Sequence, residues 1–264
     1  MSRIKETFEK LREAGRKGFI AYITAGDPDL STTKDLVREF ERCRVDIVEL
    51  GVPFSDPLAD GPVNQEAAQR ALKHNTSLSD VLRTVEELRR ETILPVVLFT
   101  YFNPVFKYGL ERCVKRCAEV GVDGILLLDL PPEEGEEYKR LTDRYGLDAI
   151  FLITPTSTEK RIELIAQRAS GFIYYVSRTG VTGERERLAD SIRPMLARIR
   201  RYTTLPIAVG FGVSRPEHIR EISEYADAVV VGSAIVRRIG DGSSVVEIGR
   251  FVEELLSPLK GTRS

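Results

Sequence analysis

The sequence predicts a single (β/α)8 (TIM) barrel over residues 1–264, and three observations support that prediction. Eight short, continuously apolar segments alternate with helical segments, and no long linker interrupts them. Continuous apolarity is typical of parallel strands that are covered on both faces. Four of these segments begin at an aspartate, which we expect to be structural and to lie at the floor of the barrel: Asp46, Asp123, Asp148 and Asp227. A doubly wound open sheet is the alternative fold.

In the first half of the chain, glycine and proline separate the apolar runs from the helical ones. An extra amphipathic helix precedes the first strand and ends at Gly15, and Ser31 is the expected N-cap of the next helix. Gly51 and Pro53 end the second strand, which two helices follow. The predicted elements are a helix at 4–14, a strand at 19–24, a helix at 31–43, a strand at 45–50, helices at 63–73 and 78–91, a strand at 95–100 and a helix at 110–120.

The second half repeats the same alternation, with glycine after most of the strands. An additional short helix is expected after the eighth strand, as after the second. The predicted elements are a strand at 124–129, a helix at 133–145, a strand at 149–154, a helix at 158–168, a strand at 172–177, a helix at 188–201, a strand at 206–210, a helix at 216–223, a strand at 228–231 and a helix at 245–256.

The composition excludes several classes of function. Because 39 Lys and Arg balance 40 Asp and Glu, the net charge of −1 gives no reason to expect a nucleic acid or an anionic membrane as partner. No apolar run reaches the roughly 18–20 residues that span a bilayer, and the N-terminal segment does not resemble a signal peptide. Three cysteines form no disulfide framework, so we expect a reducing, cytoplasmic compartment. Cys113 and Cys117 are expected to be small buried residues on one helix face, with a metal or redox role as the alternative.

Polar residues at the predicted strand ends indicate acid–base chemistry. Active sites of such barrels lie at the C-terminal ends of the strands. Neither His74 nor His218 ends a strand, and no lysine or cysteine does, which disfavours a metal site or a covalent intermediate. The remaining candidates are carboxylates and phenols: Asp27, Glu49, Asp56, Asp60, Asp129, Tyr22, Tyr101, Tyr174 and Tyr175.

The stretch 45–70 carries the two strongest catalytic candidates. Glu49 ends a buried strand, where desolvation raises the pKa of a carboxyl group. Asp60 follows in a loop with more water, where we expect it to stay ionised. Two carboxyl groups in unlike environments suit an acid and a hydrogen-bond acceptor. The structural alternatives are a buried ion pair of Glu49 with Arg178 and a turn or cap role for Asp60.

Glycine-rich segments follow three successive strands and predict a phosphate site. They are GVTG at 180–183, GFG at 210–212 and the pair Gly232-Ser233. Backbone N–H groups at short helix N-termini bind phosphate, and barrels often place such a site after strands seven and eight. Residues 177–187 are further predicted to form a mobile lid, because glycine hinges flank charged residues there.

Two segments leave alternatives open. The aromatic-rich loop at 101–108 either packs on its own barrel or forms an exposed apolar patch that a partner covers. Asp129, which precedes Leu130-Pro131-Pro132, either belongs to the site or marks the entry to the next helix.

Together these segments resemble the tryptophan synthase α subunit family. The similar motifs lie between about residues 18 and 235: TAGDP at 24–28, ELGVPFSDP at 49–57, ADGP at 59–62, Gln65, YFNP at 101–104, DLP at 129–131, SRTGVTG at 177–183, GFGV at 210–213 and GSA at 232–234. The long acidic-loop motif is specific, whereas the glycine motifs alone are not.

The resemblance implies retro-aldol cleavage of indole-3-glycerol phosphate to indole and glyceraldehyde 3-phosphate. It assigns to Glu49 the protonation of indole C3 and the removal of the proton on the adjacent glycerol hydroxyl. Asp60 accepts from the indole N–H. The substrate-binding residues that it implies are Tyr22, Phe99, Asp129, Tyr174, Thr182, Gly183, Phe211, Gly212, Gly232 and Ser233. Tyr22 stands where relatives often have phenylalanine, and Asn64 where they have an apolar residue.

The resemblance also implies a partner, a tryptophan synthase β subunit in an α2β2 complex. Asp56, Asn103 and Phe106 are the implied contacts. No cofactor and no metal is expected in this chain, since pyridoxal phosphate belongs to the β subunit. Two other functions remain: another phosphate-binding barrel, such as a sugar-phosphate isomerase or epimerase, and a catalytically weak subunit that activates its partner.

Overall fold

A closed barrel of parallel strands, in the order β1 to β8, forms the centre of the molecule. The computed structural model describes residues 2–177, 188–210 and 212–259. Each strand pairs with its chain neighbours, and β8 closes the barrel on β1. The predicted fold class is confirmed, whereas one domain over residues 1–264 stays a prediction.

The strands and helices follow the predicted alternation. The strands are β1 (Gly18–Thr24), β2 (Ile47–Gly51), β3 (Val96–Thr100), β4 (Gly124–Leu127), β5 (Asp148–Ile153), β6 (Ile173–Val176), β7 (Ile207–Gly210) and β8 (Ala228–Val231). Within the described ranges the helices are α1 (Arg3–Glu13), α2 (Leu30–Arg42), α3 (Pro62–Leu72), α4 (Leu78–Leu88), α5 (Phe102–Tyr108), α6 (Leu110–Val120), α7 (Glu136–Tyr145), α8 (Glu159–Arg168), α9 (Leu188–Arg200), α10 (Pro216–Ser223), α11 (Ser233–Gly240) and α12 (Val245–Leu256), with 3-10 turns at Pro132–Glu134 and Ser257–Leu259. Helix α1 is the extra helix expected before β1. Two helices, α3 and α4, follow β2, and α11 is the additional short helix expected after β8.

Two apolar layers hold the barrel together. Outward-facing strand residues pack against the helices in one large cluster, and inward-facing residues form a second, smaller cluster. Helix α1 closes the N-terminal end, because Ile4, Phe8 and Leu11 join the inner cluster and the Phe8 ring lies 5.9 Å from that of Phe172. At the opposite end, residues at the C-terminal ends of the strands line a cavity.

The four aspartates at the strand starts are structural, as predicted. Three of them accept a hydrogen bond at 2.8 Å from a backbone N–H at or near the start of the preceding strand: Asp46 from Phe19, Asp123 from Val96 and Asp227 from Ile207. Asp148 accepts from the Ser2 hydroxyl at 2.6 Å, which ties the start of α1 to the floor. These carboxylates fix the stagger of neighbouring strands and lie far from the C-terminal strand ends.

Two local predictions were wrong. Residues 102–108 form helix α5 rather than a loop: the Asp129 carboxylate accepts from the Phe102 N–H at 2.6 Å at the first turn, and Gly109, with φ of 94°, ends the helix. The N-cap of α2 is Asp29 rather than Ser31, because the Asp29 carboxylate accepts from the Thr32 N–H at 2.7 Å.

The cysteine prediction is confirmed for burial. Cys113 and Cys117 lie four residues apart on α6, both fully buried on its inner face, and none of the three cysteines forms a disulfide within the described residues. Of the helices described above, none is both long and apolar enough to cross a membrane.

Candidate active site

A cavity of about 430 Å³ opens at the C-terminal ends of the strands. Strand alternation builds its wall. Because Ile20, Val97 and Phe172 face inward, the side chains two positions later face inward as well, one layer nearer the open end. The side chains of this outer layer and residues of the surrounding loops line the cavity: Tyr22, Ala59, Asp60, Gly61, Pro62, Val63, Asn64, Phe99, Leu128, Leu152, Tyr174, Val176, Ser177, Gly210, Gly212, Val230, Gly232, Ser233 and Arg237.

Glu49 belongs to the same inner layer, since it follows inward-facing Ile47 by two residues, although it is not among the residues that line the cavity. Its neighbours across the sheet are Tyr22 on β1 and Val97 on β3. The side chain is fully buried, and neither carboxyl oxygen has a hydrogen-bond partner in the part of the chain that the structure describes. Burial without compensation raises the pKa of Glu49 to about 8. The carboxyl group is therefore protonated near neutral pH.

The predicted alternative for Glu49 was an ion pair with Arg178, which lies outside the described residues. A buried carboxyl group whose oxygens have no partner among the described residues is costly for a fold. Titratable groups that are kept in such an unfavourable environment are typical of functional sites.

Asp60 lies on the loop between β2 and α3, partly buried at the cavity wall. The Tyr101 hydroxyl donates to its Oδ2 at 2.9 Å. Burial raises the pKa of Asp60, whereas the neighbouring donors of Tyr101 and Asn64 lower it. Its side chain does not cap α3, whose N-cap is Gly61. Asp60 staying ionised remains a prediction, and these donors favour it.

Three aromatic rings surround the inner part of the cavity. The Tyr22 and Phe99 rings meet edge to face at 4.9 Å, and Phe99 and Tyr174 lie 6.4 Å apart. Tyr174 faces the cavity and Tyr175 packs in the outer layer, so the predicted alternation along β6 is confirmed. This apolar, flat-sided pocket suits a planar aromatic ring.

The opposite wall carries backbone groups at a helix N-terminus. Gly232 is the N-cap of α11 and provides no side-chain cap, and Ser233 begins the helix. Gly212 adopts a φ of 64° in the adjacent loop. A helix N-terminus that no side chain caps attracts an anion, so this wall can hold a phosphate group.

Other predicted residues lie elsewhere. Asp129 is exposed, does not line the cavity, and holds the start of α5. Asp27 is not a site carboxylate: it is fully buried and forms two hydrogen bonds with Arg70, at 2.7 and 2.8 Å. Asp56 and Phe106 are exposed on the outer surface, as is Asn103. Thr182, Gly183 and Phe211 lie outside the described residues, as does most of the predicted lid at 177–187.

Sequence reasoning missed several wall residues. Leu128, Leu152, Val176 and Val230 line the cavity. The alternation that placed Tyr174 could have placed them too. Arg237, on the second turn of α11, also lines the cavity, and its position one turn after Ser233 was a usable signal.

Buried polar atoms without a partner in the described ranges, rather than cavity volume, indicate which cavity is the site. A larger cavity of about 710 Å³ lies at the barrel floor, beside α1. However, all buried side-chain oxygens or nitrogens without a partner, among the described residues, belong to Glu49 and Asn64 at the other end. Across the same ranges, no three His, Cys, Asp or Glu side chains are grouped so that they could hold a metal ion.

Comparison with known proteins agrees over nearly the whole chain. The family model described as tryptophan synthase alpha chain matches residues 8–255. The tryptophan synthase alpha chain of Geotalea uraniireducens (strain Rf4) is 50% identical over 263 residues, which cover 98% of each chain. The crystal structure of tryptophan synthase subunit alpha from Legionella pneumophila str. Paris has a TM-score of 0.91 at 35% identity and covers 98% of each chain. A chain of Mycobacterium tuberculosis tryptophan synthase has a TM-score of 0.90 at 31% identity, with 98% of both chains covered.

Proposed function

The chain belongs to the tryptophan synthase alpha chain family, and from that premise we propose that Glu49 and Asp60 carry out its reaction. The protein is a carbon–carbon lyase of tryptophan biosynthesis. It cleaves indole-3-glycerol phosphate by a retro-aldol reaction to indole and glyceraldehyde 3-phosphate. The observation that carries the proposal is the buried carboxyl group of Glu49, which has no hydrogen-bond partner among the described residues and a pKa of about 8.

Glu49 acts first as a general acid. Indole is a poor leaving carbanion, so ring carbon C3 has to be protonated before its bond to the glycerol carbon breaks. A carboxyl group with a pKa near the working pH is suited to deliver that proton. The resulting carboxylate then removes the proton of the adjacent glycerol hydroxyl. The hydroxyl becomes the aldehyde, the carbon–carbon electron pair returns to the ring, and Glu49 is protonated again.

Asp60 stabilises the ring while it carries positive charge. Its carboxylate accepts from the indole N–H, and this hydrogen bond strengthens as protonation at C3 makes the ring cationic. Its place at the cavity wall and the donors beside it support the assignment. The two carboxyl groups thus divide the work by environment.

The remaining site residues bind the two ends of the substrate. Tyr22, Phe99 and Tyr174 surround the indole, and Gly212, Gly232 and Ser233 hold the phosphate at the N-terminus of α11. Thr182, Gly183 and Phe211 stay in the proposal by resemblance. The resemblance also implies that Asp129 binds the substrate, although its contact with the Phe102 N–H supports a structural role.

The partner is a tryptophan synthase β subunit, in an α2β2 complex that receives the indole. Leu58 is 90% exposed and Phe106 is 68% exposed, next to the predicted contacts Asp56 and Asn103. Large apolar side chains exposed on these two segments support a surface that a partner covers. Acid–base cleavage requires no cofactor in this chain, and pyridoxal phosphate belongs to the β subunit. Three cysteines that form no disulfide among the described residues support a cytoplasmic location.

The test is indole release from indole-3-glycerol phosphate, with and without an added tryptophan synthase β subunit. We expect release by the protein alone and faster release with the partner. No indole under either condition contradicts the proposed site, and equal rates contradict the proposed partner surface.

A further inference from the structure

The Tyr101 hydroxyl lies between two polar groups of the catalytic loop. The backbone N–H of Ala59 donates to its oxygen at 3.0 Å, and its own O–H donates to Asp60 Oδ2 at 2.9 Å. A phenol has a single proton. Because the Ala59 N–H already supplies a donor to the oxygen, that proton is committed to Asp60, which is then an acceptor.

Tyr101 does not form part of the cavity wall. Its side chain is 5% exposed and is absent from the cavity lining, whereas Asp60 is present there. Its ring packs against that of Phe54, with centroids 5.2 Å apart. Because its hydroxyl is already engaged by the Ala59 N–H and the Asp60 carboxylate, we expect the effect of Tyr101 on the reaction to pass through Asp60.

The backbone on both sides of this contact is held in place. Tyr101 is the N-cap of α5, and the next N–H, of Phe102, donates to the Asp129 carboxylate two residues after β4. The Gln65 side-chain amide donates to the backbone oxygen of Asp60 at 2.9 Å. Tyr101, which follows β3, thus holds the Asp60 loop from one side, and Gln65 of α3 holds it from the other.

We propose that Tyr101 is a positioning residue that holds the Asp60 carboxylate ionised and directed at the cavity. This inference rests on the proposed role of Asp60. It assigns Asp129 a supporting part in the same network, because Asp129 fixes the turn from which Tyr101 projects. Direct contact between Tyr101 and the substrate is not required.

The experiment compares the pH dependence of kcat/KM for wild type and Tyr101→Phe. Loss of a hydrogen bond to a charged group lowers kcat/KM by about tenfold. Because the ionised form of Asp60 loses a donor, its pKa rises, and the acid limb of the profile moves up by about one pH unit. The decrease falls mainly on kcat, since the contact matters most when the ring is cationic.

Tyr138→Phe is the matched control. Tyr138 is buried and donates to the backbone oxygen of Ile125 at 2.6 Å, in the outer layer away from the cavity. The same atom is removed, so we expect a lower Tm and an acid limb that does not move. A shift in both variants contradicts the proposal.

A double-mutant cycle isolates the route through Asp60. In an Asp60→Asn background, Tyr101→Phe is expected to cause no further loss of kcat. A further tenfold loss there, or an unmoved acid limb in the folded single variant, overturns the inference. Should Tyr101→Phe not fold, 3-fluorotyrosine at position 101 keeps the ring and makes the hydroxyl a stronger donor. The acid limb then moves down, and an unmoved limb contradicts the proposal.

The outcomes also separate this inference from the proposed function. If wild type releases no indole, the proposed function fails. If wild type releases indole and both changes at position 101 leave the profile as it was, only the role of Tyr101 fails.

Discussion

Glu49 and Tyr22 lie directly opposite each other across the parallel pair β1 and β2, in the same inward-facing layer. The Tyr22 hydroxyl is 3.4 Å from that of Thr24, whereas the carboxyl group of Glu49 has no partner among the described residues. A carboxyl group buried beside an aromatic ring is favoured in its neutral form. This neighbour relationship prepares Glu49 to act as an acid.

The pH profile of kcat/KM is expected to be bell-shaped. The alkaline limb lies near the pKa of Glu49, about 8, because the reaction requires its proton. The acid limb reports Asp60, whose pKa burial raises above its usual value. Indole release measured across pH checks both limbs. An alkaline limb that persists in residual activity of Glu49→Gln contradicts the assignment.

Glu49→Gln is expected to have a higher free energy of unfolding than wild type, by a difference that grows as the pH rises. In the unfolded chain the carboxyl group ionises near pH 4.3, whereas the folded protein keeps it neutral up to about pH 8. The folded state therefore binds one more proton across this window, and wild-type stability falls as pH rises through it. Gln does not titrate. At pH values above this window, the free energy of unfolding of Glu49→Gln therefore exceeds that of wild type by roughly 5 kcal/mol.

Urea denaturation of wild type and Glu49→Gln at about pH 4 and about pH 8.5 measures this difference. An equal difference in unfolding free energy at both pH values contradicts the predicted linkage.

Asp60→Asn is expected to lose most cleavage activity while it keeps the wild-type Tm. The amide keeps the size of the carboxyl group but cannot carry the charge that stabilises the cationic ring. Removal of one such electrostatic group costs about 10²–10³ in kcat. Steady-state kinetics and a thermal melt check the two parts. A folded variant with a wild-type kcat contradicts the role of Asp60.

Arg70→Gln is expected to lower stability by about 3–5 kcal/mol, because it leaves Asp27 as a buried charge without its cation. Arg38→Gln is the control: the ion pair of Arg38 with Glu91 has the same 2.7 Å length but is half exposed. That change is expected to cost less than about 1 kcal/mol. Urea denaturation of both variants measures the contrast, and equal losses contradict it.

Gly51→Ala is expected to impair substrate binding by moving Tyr22. A Cβ at Gly51 lies 2.3 Å from the Tyr22 hydroxyl and 2.8 Å from the adjacent ring carbon, so the ring has to shift. Since Tyr22 lines the cavity, KM rises and Tm falls. Gly61→Ala, where an added Cβ meets nothing within 4 Å, is expected to keep the wild-type Tm. An unchanged KM in Gly51→Ala contradicts this account of the wall.

The sequence predicted those features that have a local or periodic signal. Apolar alternation placed the strands, and a carboxyl group at the end of a buried strand identified Glu49. The Asp60–Tyr101 contact joins residues 41 apart, and the Asp129–Phe102 contact joins residues 27 apart. Neither leaves a pattern along the chain, and α5, whose first turn the Asp129 contact holds, was predicted as a loop.

For Asp27, the sequence pattern suggested a site residue where the structure has a structural one. It follows the end of a strand, between glycine and proline, as a site residue does, but its bidentate contact with Arg70 satisfies it within the fold. Spacing alone does not distinguish a paired carboxylate from a free one. The distinction requires the position of α3, which brings Arg70 across 43 residues of sequence.

The most direct test of the account is indole release from indole-3-glycerol phosphate by folded Glu49→Gln, compared with wild type in the same complex with the β subunit. Gln fills the same space but has no proton to give to C3. We expect a loss of at least about 10²-fold in kcat, with an unchanged or higher Tm. A folded Glu49→Gln protein that releases indole at the wild-type rate contradicts the central claim that Glu49 is the acid.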